Sequence, residues 1–119
     1  MKENRKTERI KAATFATVYN RSGNVLLGYL GNLTPEGAMS VGEKPVKTDQ
    51  AILLEIEFRG ETEIPGGHLN LPARVVRCKL DQETGYYHTG FEFLAMTDEI
   101  KGAIESLVKR YRFSLNYPI

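Results

Sequence analysis

The alternation of apolar and polar residues predicts a series of short strands followed by one helix. From residue 51 to residue 58, Leu54, Ile56 and Phe58 fall on one face and Glu55 and Glu57 on the other. This period of two predicts a strand with one buried face. Five other apolar runs are bounded by turn residues and also predict strands. They span Ala12–Tyr19, Val25–Leu30, Ala38–Val41, His68–Leu80 and Tyr86–Met96.

Clusters of Gly, Pro, Asn, Asp and Ser separate these runs and predict the connections. The connections span Asn20–Asn24, Asn32–Gly37, Gly42–Gln50, Arg59–Gly67 and Asp81–Gly85. In the second of them, Pro35 restricts φ and Gly37 is free to adopt a positive φ. About six short strands with turns between them predict a closed antiparallel barrel or a sandwich.

The apolar period changes at the end of the chain, where a helix is predicted at about residues 97–113. Thr97 suits the N-cap position, and Asp98 and Glu99 fall in the first turn. Such a helix would lay its apolar stripe over an end or a flank of the barrel. The stripe consists of Ile100, Ala103, Ile104, Leu107, Val108 and Tyr111.

Charge is distributed unevenly along a chain whose formal net charge is +1. Residues 1–12 carry five basic and two acidic side chains, which leaves the remainder at −2. We therefore predict two parts, a flexible basic arm at residues 1–11 and a single domain at residues 12–119. The single cysteine, the lack of a secretory leader and the lack of a membrane-spanning apolar run predict a cytoplasmic protein.

The sequence offers no constellation that indicates catalysis. It lacks a phosphate-binding glycine loop, a nucleophile turn and the ligand spacing of a zinc site. His68 and His88 lie in separate predicted strands, and Glu55 and Glu57 fall on the solvated face of theirs. We therefore expect neither an enzyme nor a metal site.

Two short motifs carry candidate binding chemistry. Arg5 and Arg9 form an R-x-x-x-R, and the planar guanidinium pairs bidentately with phosphate, binds the O6/N7 edge of guanine and stacks on purines. Asn32, Thr34 and Gly37 form an N-x-T-x-x-G directly after a strand. Either motif alone has a simpler explanation, because basic arms are usually solvated and Asn and Thr commonly cap their own turns.

Taken together, the two motifs resemble the signature of PilZ domains. That signature is R-x-x-x-R followed by [D/N]-x-[S/T]-x-x-G, and here it begins at Arg5 and ends at Gly37. The strand Ala38–Val41 and the segment Gly90–Phe93 are similar to later elements of the family, as is the final helix. The resemblance covers the chain from about Arg5 to Arg112.

The resemblance implies a six-stranded antiparallel β-barrel with a C-terminal helix that binds cyclic di-GMP and needs no cofactor. Arg5 and Arg9 would grip phosphates and guanine edges, Asn32 and Thr34 would contact the second guanine, and Gly37 would let the ligand approach closely. Further candidates for the ligand surface are Lys6, Arg74 and Arg77. Because Arg74 and Arg77 are three positions apart in a strand, we expect only one of them to face that surface.

The resemblance also implies a receptor that changes its arm conformation and its partner contacts on binding. Its partner would be a protein of the motility, exopolysaccharide or adhesion machinery. The sequence leaves open whether the chain forms a homodimer. An alternative is a PilZ-like protein-interaction domain that binds no nucleotide. The net acidic domain at residues 12–119 disfavours a third class, small barrels that bind DNA or RNA.

Overall fold

The computed structural model describes residues 16–59 and 64–111 as six strands and a helix. The elements are β1 (Ala16–Asn20), β2 (Val25–Thr34), β3 (Gly37–Gly42), β4 (Ala51–Phe58), β5 (His68–Asp81), β6 (Tyr86–Phe93) and α1 (Asp98–Tyr111). A single 3₁₀ turn at Pro65–Gly67 precedes β5.

The six strands close into an antiparallel barrel in the order β1-β2-β3-β6-β5-β4, with β4 pairing back onto β1. The predicted barrel is therefore confirmed and the sandwich is excluded. Closure pairs both edges of every strand, so the described sheet has no free edge. The order also places β2, β3, β6 and β5 side by side on one flank of the barrel.

The barrel interior is filled by the apolar residues that alternate inward along the strands. The predicted faces of β4 are confirmed, since Leu54, Ile56 and Phe58 are buried in the core while Glu55 and Glu57 lie on the other face. The largest fully buried apolar side chains are Phe91, Leu30, Leu33, Leu54, Ile56, Ile104, Leu107, Val18, Val41 and Val75.

Helix α1 belongs to the same core. Ile104 and Leu107 of the predicted stripe are fully buried in the core cluster, and the helix packs against β2. Thr97 is the N-cap as predicted, because its Oγ1 accepts a hydrogen bond from Ile100 N at 3.2 Å. Residues 112 and 113 of the predicted helix lie outside the described range. No helix in the described part of the chain has the length and apolar character needed to span a membrane.

Three register shifts interrupt the strand pairing of the described barrel. One lies in the pairing of β1 with β2, between Val18 and Tyr19, and the other two change the faces on which candidate site residues lie. The pairing of β2 with β3 shifts between Leu30 and Asn32, and the pairing of β5 with β6 shifts between Val75 and Arg77. Each of these two shifts is a β-bulge that inserts one extra residue, Gly31 or Val76, into a strand. The bulge in β2 explains how both Leu30 and Leu33 lie inside the barrel, three positions apart.

Several predicted boundaries were wrong. Strand β2 runs to Thr34 instead of ending at Leu30, because the bulge restores its alternation and keeps its pairing with β3. Strand β6 ends at Phe93 instead of Met96, where the chain departs toward α1. The first strand is described from Ala16, and residues 12–15 of its predicted span lie outside the described range.

Candidate ligand-binding face

Two rows of residues cross the outer surface of the barrel from β2 to β5. Ala38, Phe91 and Val75 are successive cross-strand partners and are fully buried, so their immediate chain neighbours in β3 and β6 point outward. We call the two outward rows together the candidate face. One row is Thr34, Gly37, Glu92 and Arg74, and the other is Asn32, Met39, Gly90 and Arg77.

Strand pairing brings together five of the residues that the sequence singled out. Asn32, Thr34, Gly37, Arg74 and Arg77 all lie on the candidate face. The first three are close in sequence, whereas the two arginines reach the same surface only because β6 lies between β3 and β5. The other three predicted site residues, at positions 5, 6 and 9, lie outside the described residues.

The expectation that only one of Arg74 and Arg77 faces this surface was wrong. Arg74 pairs with Glu92 and Arg77 pairs with Gly90, two positions that share a face of β6. The bulge at Val76 adds one residue between the arginines, so a spacing of three in the sequence corresponds to a spacing of two on the sheet.

The predicted turn over Asn32–Gly37 was also too long. Thr34 pairs with Gly37, so only Pro35 and Glu36 form the connection between β2 and β3. The glycines with positive φ in the described residues are Gly23, Gly28, Gly66, Gly67 and Gly85. Gly37 is instead in extended backbone at the start of β3, and its use on the candidate face is the absence of a side chain.

The side chains of Thr34 and Asn32 differ in how accessible they are to a ligand. Thr34 is partly exposed, and its Oγ1 accepts a hydrogen bond from Glu36 N at 3.2 Å. Asn32 is 2% exposed, although it lies on the outer side of β2. Its cross-strand partner Met39 is 4% exposed and extends its side chain over Gly31. A ligand on this face thus reaches the hydroxyl of Thr34 directly, whereas the amide of Asn32 is covered.

Acidic groups surround the guanidinium of Arg74. Its Nε lies 3.8 Å from Glu92 Oε1, and its Nη1 lies 3.6 Å from Asp49 Oδ1. The loop before β4 runs beside β5, where Asp49 N donates to Val75 O at 2.8 Å, and Asp49 has a φ of 62°. About half of the Arg74 side chain is exposed, so these pairs hold it weakly and leave it free to turn toward an anion.

The side chain of Arg77 lies across Gly90. A Cβ added to Gly90 would meet Arg77 Nε at 3.7 Å and Arg77 Cγ at 3.9 Å, both ordinary packing distances. The side chain of Arg77 therefore covers Gly90, and an added Cβ would also meet Val76 Cγ2 at 3.6 Å. The candidate face in this way combines two arginines with one hydroxyl and two glycines.

The structure also reveals a cluster that the linear sequence concealed. Glu55, Glu57 and His68 bring their ligand atoms within 4.8 Å of one another, the one such group of three metal-ligand types found in residues 16–59 and 64–111. His68 Nδ1 lies 2.9 Å from Glu55 Oε2 and 3.9 Å from Glu57 Oε2. Only the register of β5 on β4, which pairs His68 with Glu57, brings the histidine to the carboxylates.

An apolar groove opens at the far end of β2 from Thr34. It has a volume of about 630 Å³, and its walls include the exposed side chains of Val25, Leu26 and Tyr86. Leu26 and Thr34 are eight positions apart in β2, about 25 Å of extended chain. The groove is also lined by Tyr29 and Val41, and Val41 is two positions from Met39, so the groove extends along β2 and β3 to the edge of the candidate face.

Comparison with known proteins identifies the family of the chain. The family model of the PilZ domain matches residues 3–110. No curated protein and no solved structure matched the chain. The matched range includes every residue of the candidate face and also the positions of both arm arginines. PilZ domains are binding domains that in general act as cyclic di-GMP receptors. The chain belongs to the PilZ domain family.

Proposed function

We propose that this chain is a cyclic di-GMP receptor whose ligand binds between the N-terminal arm and the candidate face. Arg5 and Arg9 would bind the two phosphates and the guanine edges, with Lys6 adding charge. Asn32, Thr34 and Gly37 would receive the ligand on the barrel, a list that the family signature supports. Thr34 is already accessible, whereas the groups that cover Asn32 and Gly37 would have to move. The observation that carries the proposal is the convergence of these barrel residues with two arginines on one outer face.

The chemistry of the face suits a ligand that is both anionic and planar. Arg74 and Arg77 offer guanidiniums that pair with phosphate or stack on a purine, and the Thr34 hydroxyl both donates and accepts hydrogen bonds. Gly37 and Gly90 carry no side chains, but both are buried, and Arg77 lies across Gly90. A base on this face would therefore meet the Thr34 hydroxyl and the guanidiniums rather than the glycine backbone. A long nucleic acid is a poorer fit, because the sequence beyond residue 12 has a net charge of −2.

The barrel and the arm would contribute different interactions to ligand binding, because their net charges differ. The barrel at residues 12–119 supplies shape and hydrogen bonds, whereas the arm at residues 1–11 supplies the net positive charge. Ligand binding would fix the arm against the candidate face and change the surface that a partner protein meets. That partner would belong to motility, exopolysaccharide or adhesion machinery, and the chain would bind its ligand without catalysing a reaction at it.

Calorimetric titration of the folded chain with cyclic di-GMP tests the proposal. We expect binding at low-micromolar concentration or below, and no binding of GTP or cyclic di-AMP at that concentration. Arg9→Ala should weaken binding by about 2 kcal/mol, roughly thirtyfold, because it removes a charge-assisted pair. Arg21→Ala is the matched control, since Arg21 lies in the exposed turn at the opposite end of β2.

A folded wild-type chain that does not bind cyclic di-GMP would contradict the proposal. Capture of a protein partner by that same chain would then favour the alternative, a PilZ-like interaction domain without a nucleotide. Equal loss of binding in Arg9→Ala and Arg21→Ala would show that the effect is one of general charge and would remove the arm from the site.

A further inference from the structure

A carboxylate occupies the middle of the candidate face. Glu92 lies between Gly37 on one side and Arg74 on the other, and its side chain is about half exposed. A surface that only attracted phosphates would gain nothing from this charge, because two like charges repel each other. Attraction of phosphate therefore does not explain a carboxylate at this position.

The pairing of Glu92 with Arg74 leaves the carboxylate oxygens able to accept further hydrogen bonds. The two groups lie 3.8 Å apart, which is too far for a hydrogen bond. Arg74 is shared with Asp49 at 3.6 Å, so one guanidinium faces two carboxylates and the group as a whole is negative. The oxygens of Glu92 thus keep their capacity to accept hydrogen bonds from a ligand.

Guanine has the donors that such a carboxylate binds. Its N1–H and its 2-amino group lie side by side on one edge, so the two carboxylate oxygens can each accept one hydrogen bond. Adenine presents an unprotonated ring nitrogen at the corresponding edge, and its lone pair would repel a carboxylate. Hydrogen bonds to an ionised acceptor are stronger than those to a neutral one.

Gly37 separates Glu92 from Thr34 and is itself buried, so a base can contact these two side chains but not the glycine backbone. Gly37 lies between Thr34 and Glu92 in the row, and neighbouring strands are about 4.8 Å apart. The two side chains thus rise about 10 Å apart, on either side of the glycine. A planar base between the exposed parts of the two side chains would place one edge near the hydroxyl and the other near the carboxylate.

We propose that Glu92 is a specificity-determining residue that recognises the N1–H and 2-amino edge of guanine. This inference rests on the proposed function, because it assigns one contact within that ligand site. It adds that selection for guanine over other purines resides in a carboxylate of β6.

The test removes one partner at a time from each side of the contact. The ligands are cyclic di-GMP and its inosine analogue, which lacks only the 2-amino groups. The proteins are the full wild-type chain, Glu92→Gln and Glu105→Gln, the last removing an equal charge from an exposed position of α1. Dissociation constants for the six pairs give the coupling between the carboxylate and the amino group.

We expect wild type and Glu105→Gln to prefer cyclic di-GMP over the inosine analogue by about tenfold or more. In Glu92→Gln the preference should fall to about threefold or less, with weaker binding of cyclic di-GMP. An unchanged preference in Glu92→Gln, no preference in wild type, or tighter binding of both ligands by Glu92→Gln would overturn the inference while leaving the receptor function intact. Failure of folded wild type to bind either ligand would overturn both.

Discussion

Arg74 and Arg77 lie on the same outer face of β5, although three sequence positions separate them. The bulge at Val76 is the cause, because it absorbs one residue before the alternation resumes. Arg74 is thereby placed next to Glu92, and Arg77 is placed over Gly90. The family signature ends at Gly37, so these two arginines extend the site onto strands that the signature does not reach.

We expect Arg74→Ala and Arg77→Ala each to weaken cyclic di-GMP binding by about 1 kcal/mol, roughly fivefold. The effect is modest because at least Arg74 is half exposed and its pairs are screened by water. Titration of the two single variants and the double variant measures it, with Arg21→Ala as the control. If only one of the two single substitutions weakens cyclic di-GMP binding, the face that the two arginines share is not the ligand surface.

The close approach of β2 to β3 depends on glycine at positions 28 and 42. A Cβ at Gly28 would overlap the carbonyl oxygen of Val41, and Gly28 has a φ of 143°. A Cβ at Gly42 would overlap the carbonyl oxygen of Leu27. We expect Gly28→Ala to lower the free energy of unfolding by about 3 kcal/mol or more, because backbone cannot yield as a flexible side chain can.

Gly102→Ala is the matched control for that substitution. Gly102 lies in the exposed part of α1 with no atom within 4 Å of an added Cβ, so alanine should stabilise the protein by about 0.5–1 kcal/mol. Urea denaturation of both variants measures the difference. A Gly28→Ala protein as stable as wild type would show that β2 and β3 are not as close as described.

The helix cap makes a separate prediction. Thr97→Ala removes the oxygen that accepts from Ile100 N and should cost about 1 kcal/mol of unfolding free energy. Thr97→Ser retains the oxygen, so its free energy of unfolding should stay within about a few tenths of a kcal/mol of the wild-type value. Thermal unfolding followed by circular dichroism distinguishes the two, and equal midpoints for both variants would argue that the cap adds nothing to stability.

Helix α1 should behave as part of the core and not as an appendage. Leu107→Ala should destabilise the chain by about 2–5 kcal/mol, since Leu107 is fully buried among barrel residues. Ser106→Ala changes the adjacent exposed position and serves as the control. A loss of helical signal that precedes the unfolding of the barrel would contradict a single shared core.

Much of the architecture was predictable because it depends on local periodicity. The period of two in β4 and the period near 3.6 after Thr97 each identify a buried face from a few neighbouring residues. The predicted inward residues Leu54 and Ile56 and the predicted stripe residues Ile104 and Leu107 are all in the core. Arg5 and Arg9 were found only through the motif, and their part in the site stays a prediction.

By itself, then, the sequence determined the barrel with its final helix, the family signature and the candidate binding residues. Only the tertiary structure decided which of those residues share a surface. The bulges at Gly31 and Val76, the approach of Glu92 to Arg74 and the contact of His68 with Glu55 all follow from strand register. Register is set by hydrogen bonds and packing between strands that are distant in the chain, so local patterns do not encode it.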